Sequence, residues 1–264
     1  MSVPKIIHYC WFGKGDLSPT AHKVLASWKK YAPGFEIKRC DEDTFDPESV
    51  PWTRDAYAAK KYAFVADYAR FRMLYDYGGV YMDLGSELIK PIGSFVERHT
   101  PFSVIEGLSK TATTGLCAAT QPHDPVVASV LAHYERLSFL DDIEFLRAHT
   151  VNEMFTQELE KIGFIREDCL QKVGEWTLFP SETFNPVYGF GGYHIKRETY
   201  SVHHYSASWE NAALRRKRQI VTRLAPFIGR RPAQIIGRVI GEVCCGDISN
   251  LKELIKKSLK GGHL

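Results

Sequence analysis

The chain has 264 residues, 44% hydrophobic and 25% charged, with a formal net charge of +3. That composition suits a globular protein with a sizeable core, and no run reaches the roughly eighteen apolar residues of a membrane-spanning helix. The six cysteines, at 10, 40, 117, 169, 244 and 245, form neither a CxxC pair nor a disulfide rhythm. With no secretory apolar segment ahead of the first strand-like run, they read as reduced thiols of a cytoplasmic protein.

Residues 4–13, PKIIHYCWFG, predict a first strand, dense enough in apolar residues to be covered on both faces. Trp11 near its end has two readings, a core tryptophan or a platform on which a base stacks. His8 reads as a core residue. Ser18-Pro19 caps a helix running to Lys30, and residues 35–40 alternate as a second strand. After an acidic, turn-rich stretch a helix begins near Trp52. This strand–helix order opens a doubly wound α/β domain, without the GxGxxG or GxxxxGK[ST] signatures of dinucleotide and P-loop sites.

Residues 62–91 form the centre of the pattern. Asp67 and Arg70, three apart, share a helix face amid apolar neighbours. Gly78-Gly79 ends the helix, Val80-Tyr81-Met82 is a short strand, and Asp83 stands at its carboxyl end, where open α/β sheets bind ligands. On residues alone, Asp67 and Arg70 also read as an ordinary helix ion pair.

Further strands are expected at 102–106, 176–180 and from Tyr200. Residues 111–119 are small and uncharged, suited to a strand or a loop lying close against a ligand. Helices are expected at 125–137 and 141–159, with Thr150 either capping the second half of the latter region or starting a new helix.

From Ala212 onward twelve Lys/Arg face three Asp/Glu, a local balance of +9 that leaves −6 on the preceding 211 residues. This predicts a globular domain over 1–211 and a basic amphipathic helical extension over 212–264. Ile220, Val221, Leu224, Phe227, Ile228, Ile235, Ile236, Val239 and Ile240 recur among its arginines. That pattern fits peripheral attachment to an anionic inner membrane face, or a helical appendage packed on the domain. Nucleic-acid binding ranks below both, because the arm is nearly devoid of aromatics.

The segments PKIIHYCWFG, YAFVADYARFRMLYDYGGVYMDL and HHYSASW together resemble glycosyltransferase family 32, over about residues 3–210. The family includes sugar transferases of bacterial capsule and lipopolysaccharide synthesis, and is related to yeast initiating mannosyltransferases and clostridial glucosylating toxins. The resemblance implies a GT-A fold, α/β with a single Rossmann-like nucleotide-sugar-binding domain, and retention of anomeric configuration with Mn²⁺ or Mg²⁺ as cofactor. It implies a nucleotide-sugar donor, UDP- or GDP-linked, and a glycan or lipid-linked glycan acceptor. Trp11 then corresponds to the residue packing on the donor's base, Asp67 and Arg70 to the pair gripping its sugar, and Tyr81 to the aromatic beside its ribose and phosphates. Asp83 corresponds to the first acid of the Asp-x-Asp motif and a metal ligand, His204 to a further ligand, and Trp209 to a donor of an indole N–H to the diphosphate. Glu106 and Asn152 are acceptor-side candidates by position.

One departure stands out. The second acid of Asp-x-Asp, normally the direct metal ligand, is Gly85. Three accounts of it stand open: an introduced substitution, a natural variant in which water, Ser86 or Glu87 takes over, or a weakened or inactive relative that only binds nucleotide sugar or glycan. On a continuing strand Glu87 would face the same way as Asp83.

Overall fold

The structure is a computed structural model. It describes residues 3–107, 109–186 and 195–204, together with 216, 220–221, 223–224, 227–229, 232–233, 235–237 and 239–240. The chain divides into two units, one of residues 1–186 and 195–205, the other of 187–194 and 206–264.

In the first unit the elements run β1 (Ile6–Cys10), α1 (Pro19–Tyr31), β2 (Glu36–Cys40), α2 (Pro51–Ala58), α3 (Tyr62–Tyr77), β3 (Gly79–Tyr81), β4 (Ser86–Leu88), α4 (Gly93–His99) and β5 (Phe102–Glu106). They continue as β6 (Thr111–Thr113), β7 (Ala118–Thr120), α5 (Pro125–Tyr134), α6 (Ile143–Ala148), α7 (Val151–Glu160), β8 (Gln171–Val173), β9 (Trp176–Phe179) and β10 (Ser201–His203). Local chemistry sets the boundaries. Ser18 accepts from Ala21 N ahead of Pro19, Asp124 caps α5, and Thr150 accepts from Glu153 N, so α7 is a fresh helix. Gly78 and Gly79 end α3 at φ 61° and 92°, the left-handed region that glycine accepts. A Cβ on Gly79 would lie 2.7 Å from Ile6 O, so strand and turn meet backbone to backbone.

The main sheet has the order β2-β1-β3-β7-β5-β9-β8, with β6 also paired to β5. β1 is parallel to both β2 and β3, as the opening strand–helix pattern predicts. The sheet then becomes mixed: β7 is antiparallel to β3 and β5, and β9 is parallel to β5. Hence β1, β3, β5 and β9 all end at one edge of the sheet. β4 and β10 form a separate antiparallel pair in which His203 lies opposite Ser86.

Strand alternation divides the core between the two sheet faces. Val80 and Met82 belong to a cluster with Trp28, Phe95 and Phe102. Tyr81, between them, points to the opposite cluster with Trp52, Phe71, Phe155 and Trp176. α3 lies inside this second layer and buries half its length, Asp67 and Arg70 included. Burying that much charge requires internal pairing. His8 is a core residue: it is 1% exposed, its ring contacts Gly78 O at 2.9 Å, and burial lowers its pKa.

In the second unit the described residues between 220 and 240 are helical on either side of Gly229. Phe227 is 85% exposed, and Ile228, Ile236 and Ile240 are also exposed, whereas Ala233 is buried. The last part of the helical extension expected over 212–264, residues 241–264 with Cys244 and Cys245, lies outside the described residues.

Candidate active site

α3 and β3, joined by the glycine turn, bring four of the expected residues together. Arg70 Nη2 donates to Asp67 Oδ1 at 2.8 Å, and Nη1 lies 3.4 Å from Asp83 Oδ1. Arg70 Nε donates to Ala66 O at 3.1 Å, which fixes the fork on its own helix. The guanidinium sits 4.9 Å from the Tyr81 ring centre, and the Tyr81 hydroxyl donates to Asp83 Oδ1 at 2.9 Å. One cation is thus shared by two carboxylates over an aromatic floor.

The cluster is graded in exposure. The side chains of Arg70 and Asp67 are 6% and 10% exposed, while that of Asp83 is 36% exposed. Burial raises the Asp67 pKa to about 6; Arg70 opposes the rise and Asp83 adds to it. For Arg70, burial works against the charge, but Tyr81, Asp83 and Asp67 outweigh it and its pKa rises. Tyr134, on α5, is fully buried within electrostatic reach of Asp67, and its hydroxyl has no hydrogen-bond partner among the described residues.

Tyr81 is placed differently from the expectation. Its ring is 1% exposed, beneath Arg70 rather than along an open donor groove, so the strand's inward alternation makes it a support for Arg70 and Asp83. Trp11 stands at the carboxyl end of β1, on the same sheet edge as Asp83, and its indole donates to Gly15 O at 2.7 Å. Glu106, at the carboxyl end of β5, accepts from Asn152 Nδ2 at 2.7 Å, so two acceptor-side candidates 46 residues apart in sequence form one pair. Trp209 lies outside the described residues.

Gly115 is a member of the site that sequence reading did not single out. Its carbonyl accepts from Asp83 N and from Ser86 Oγ, both at 2.9 Å. A Cβ on Gly115 would stand 2.3 Å from Asp83 Oδ2, so only a bare backbone lets the carboxylate lie there. The small-residue run 111–119 was the signal.

The surroundings of Gly85 also differ from the expectation. The chain turns directly after Asp83, with Ser86 N donating to Asp83 O at 2.8 Å, so Glu87 does not continue the Asp83 face. Glu87 accepts from Lys23 Nζ at 2.8 Å and lies 2.6 Å from His204 Nε2. The expected metal-side histidine is therefore joined to Glu87. The histidine against position 85 is its neighbour: a Cβ on Gly85 would come 2.7 Å from His203 Nε2 and 2.9 Å from Cε1. Burial lowers the His203 pKa to about 4, with Asp83 opposing, so this ring is neutral.

These residues do not make an ordinary divalent-metal site. Position 85 offers no oxygen from a side chain, Ser86 Oγ is directed to Gly115, and Glu87 is held by Lys23 and His204. Among the described residues no three His, Cys, Asp or Glu side chains converge as a metal-holding group.

Residues 19–103 match the family described as a glycosyltransferase sugar-binding region containing a DXD motif. That span holds Asp67, Arg70, Tyr81 and the Asp83-Leu84-Gly85 tripeptide. The chain therefore carries a glycosyltransferase sugar-binding region, and it is a transferase of that class. A solved structure named PaToxG Glycosyltransferase superposes with a TM-score of 0.48 at 18% identity, over 61% of this chain and 70% of its own. No curated protein matches.

Proposed function

We propose that the protein is a retaining glycosyltransferase that moves a hexose from a UDP- or GDP-linked donor to a glycan in bacterial surface polysaccharide synthesis. The observation that carries this reading is the Asp67–Arg70–Asp83 network at the carboxyl edge of the sheet, inside the matched region. Ionised Asp67 accepts hydrogen bonds from sugar hydroxyls while Arg70 offsets its charge and faces the phosphate side. As the glycosidic bond breaks, negative charge grows on the departing diphosphate, and fixed cationic donors aimed there lower the barrier. The departing phosphate oxygen takes the proton of the attacking acceptor hydroxyl on the same face, which retains configuration without an enzymic nucleophile. Glu106, held by Asn152, serves the acceptor side.

The basic C-terminal unit, with exposed Phe227 and Ile228, supports attachment to an anionic membrane surface where lipid-linked acceptors reside. Among the described residues no helix is long and apolar enough to cross a membrane. Peripheral contact at the inner face is the corresponding location.

Gly85 favours a second reading, in which the chain binds nucleotide sugar or glycan without turnover. Donor hydrolysis across a panel of UDP- and GDP-sugars separates the two readings. Hydrolysis that disappears in Arg70→Ala supports the enzyme, and none with any donor supports the binding protein. Flotation with liposomes containing anionic lipid tests attachment, which should be lost when the chain is cut after Asn211; unchanged flotation would sink the membrane reading.

A further inference from the structure

We infer that His203 stands where the second carboxylate of the motif would, and that this donor site holds a nucleoside diphosphate without a divalent cation bridging Asp83. The inference rests on the transferase reading and deepens it.

Position 85 is closed to a side chain from two sides. The His203 ring meets any Cβ there at 2.7 Å, and the backbone oxygen of His204 meets it at 3.0 Å. His204 N also donates to Gly85 O at 2.8 Å, continuing the β4–β10 pairing past its last register pair. His203 is half-buried at the end of β10, and its ring fills the space that a side chain at position 85 would need. Gly85 is thus the residue that this imidazole requires, and the glycine and the histidine are two halves of one arrangement.

The carboxylate that remains is already committed. Asp83 Oδ1 takes the Tyr81 hydroxyl at 2.9 Å and faces Arg70 Nη1 at 3.4 Å, while Oδ2 lies under Gly115. Mg²⁺ and Mn²⁺ want several hard oxygen ligands, and even a water-rich Mg²⁺ site uses one or two carboxylates. A dication at Asp83 would find one partly used carboxylate, no second carboxylate oxygen at position 85 and a guanidinium of like charge close by. Arg70 already places a fixed positive charge 3.4 Å from Asp83 Oδ1, and this guanidinium takes the place of the metal in meeting the diphosphate.

The test uses the full chain, with Mn²⁺ followed by electron paramagnetic resonance and UDP and GDP binding followed by calorimetry. The expected result is no saturable Mn²⁺ binding to the wild type, and nucleotide affinity unchanged by EDTA. Gly85→Asp alone should lower the melting temperature and gain no Mn²⁺ site. Combining it with His203→Ala should open the space and create Mn²⁺ binding. Saturable wild-type Mn²⁺ binding that is lost in Asp83→Asn, nucleotide binding that needs metal, or an Mn²⁺ site in Gly85→Asp alone would each overturn the inference. The effect of EDTA on nucleotide binding to the wild type decides it even if a variant does not fold. Failure of UDP and GDP to bind with or without Mn²⁺ counts instead against the transferase reading.

Discussion

The two sides of Asp83 are built on opposite principles. On the α3 side the carboxylate meets charge and hydrogen-bond donors: Arg70, Tyr81 and, through Arg70, Asp67. On the β4–β10 side and under Gly115 it meets absence, two glycines whose missing Cβ atoms leave room for its own oxygen and for the His203 ring. The first side is tuned by electrostatics in a low dielectric, the second by close packing of backbone. A substitution on the first side should therefore change charge balance, and one on the second should change position.

The largest effect is expected from Arg70→Ala. It strands Asp67 in a buried place without its cation, and removing one partner of a buried pair costs about 3–5 kcal/mol. Chemical denaturation measures that loss, and donor hydrolysis should vanish with it. Gly115→Ala tests the other side. Forcing a methyl into the space of Asp83 Oδ2 should cost about 1–3 kcal/mol and lower donor hydrolysis well beyond what the unfolded fraction explains. Hydrolysis that survives intact would show that the location of Asp83 does not matter. Tyr81→Phe deletes one hydroxyl while keeping the floor beneath Arg70, and should cost about 1 kcal/mol, read from the same denaturation curves.

The gentlest perturbation changes no atom. With Asp67, Arg70 and Asp83 all ionised, the cluster carries one net negative charge. Asp67 titrates at about 6, raised from its ordinary 3.8, so the folded state holds a proton there that the unfolded chain has lost. The stability this contributes is full below the unfolded value and is lost as pH rises through about 6. Donor hydrolysis should run the other way, falling as acid converts Asp67 from acceptor to neutral carboxyl. Unfolding free energies of the wild type and Asp67→Asn, compared across this range, should converge or diverge with that sign.

How much of this was legible in the sequence follows from how local each part is. The α3–glycine turn–β3 stretch is contiguous, and its caps, periodicity and strand-end acid could be read residue by residue. β1, α1, β2 and β5 fell where their patterns put them. The mixed character of the sheet was not legible, because β7 pairs with β3 across 37 or more residues and three-residue strands carry almost no periodic signal. The site divides along the same line. Asp67, Arg70 and Asp83 were readable, whereas Gly115 was visible only as one member of a run of small residues. Two adjacent histidines differ by one step of strand alternation, so which of them faces Gly85 depends on the register of β10 against β4, and no local pattern sets that register. Tyr81 was expected beside the donor's ribose and phosphates, and the packing of α3 over β3 buries it beneath Arg70 instead.

That register has a consequence for how the site is assembled in time. β4 and β10 pair over three positions only, and a two-stranded ribbon of that size is marginal in water. Its anchor is α1: Trp28 donates its indole N–H to Ser86 O at 2.7 Å, and Ser27 Oγ accepts from Leu88 N at 3.0 Å. Asp67, Arg70 and Asp83 lie within 17 consecutive residues and close a short loop, whereas His203 closes one of about 120 residues onto a platform that α1 must first prepare. The charged half is therefore expected to form early in folding and the imidazole half late. The amide of Val202 should exchange with solvent faster than that of Tyr81, making the Gly85 side the first part of the site to open and the last to close.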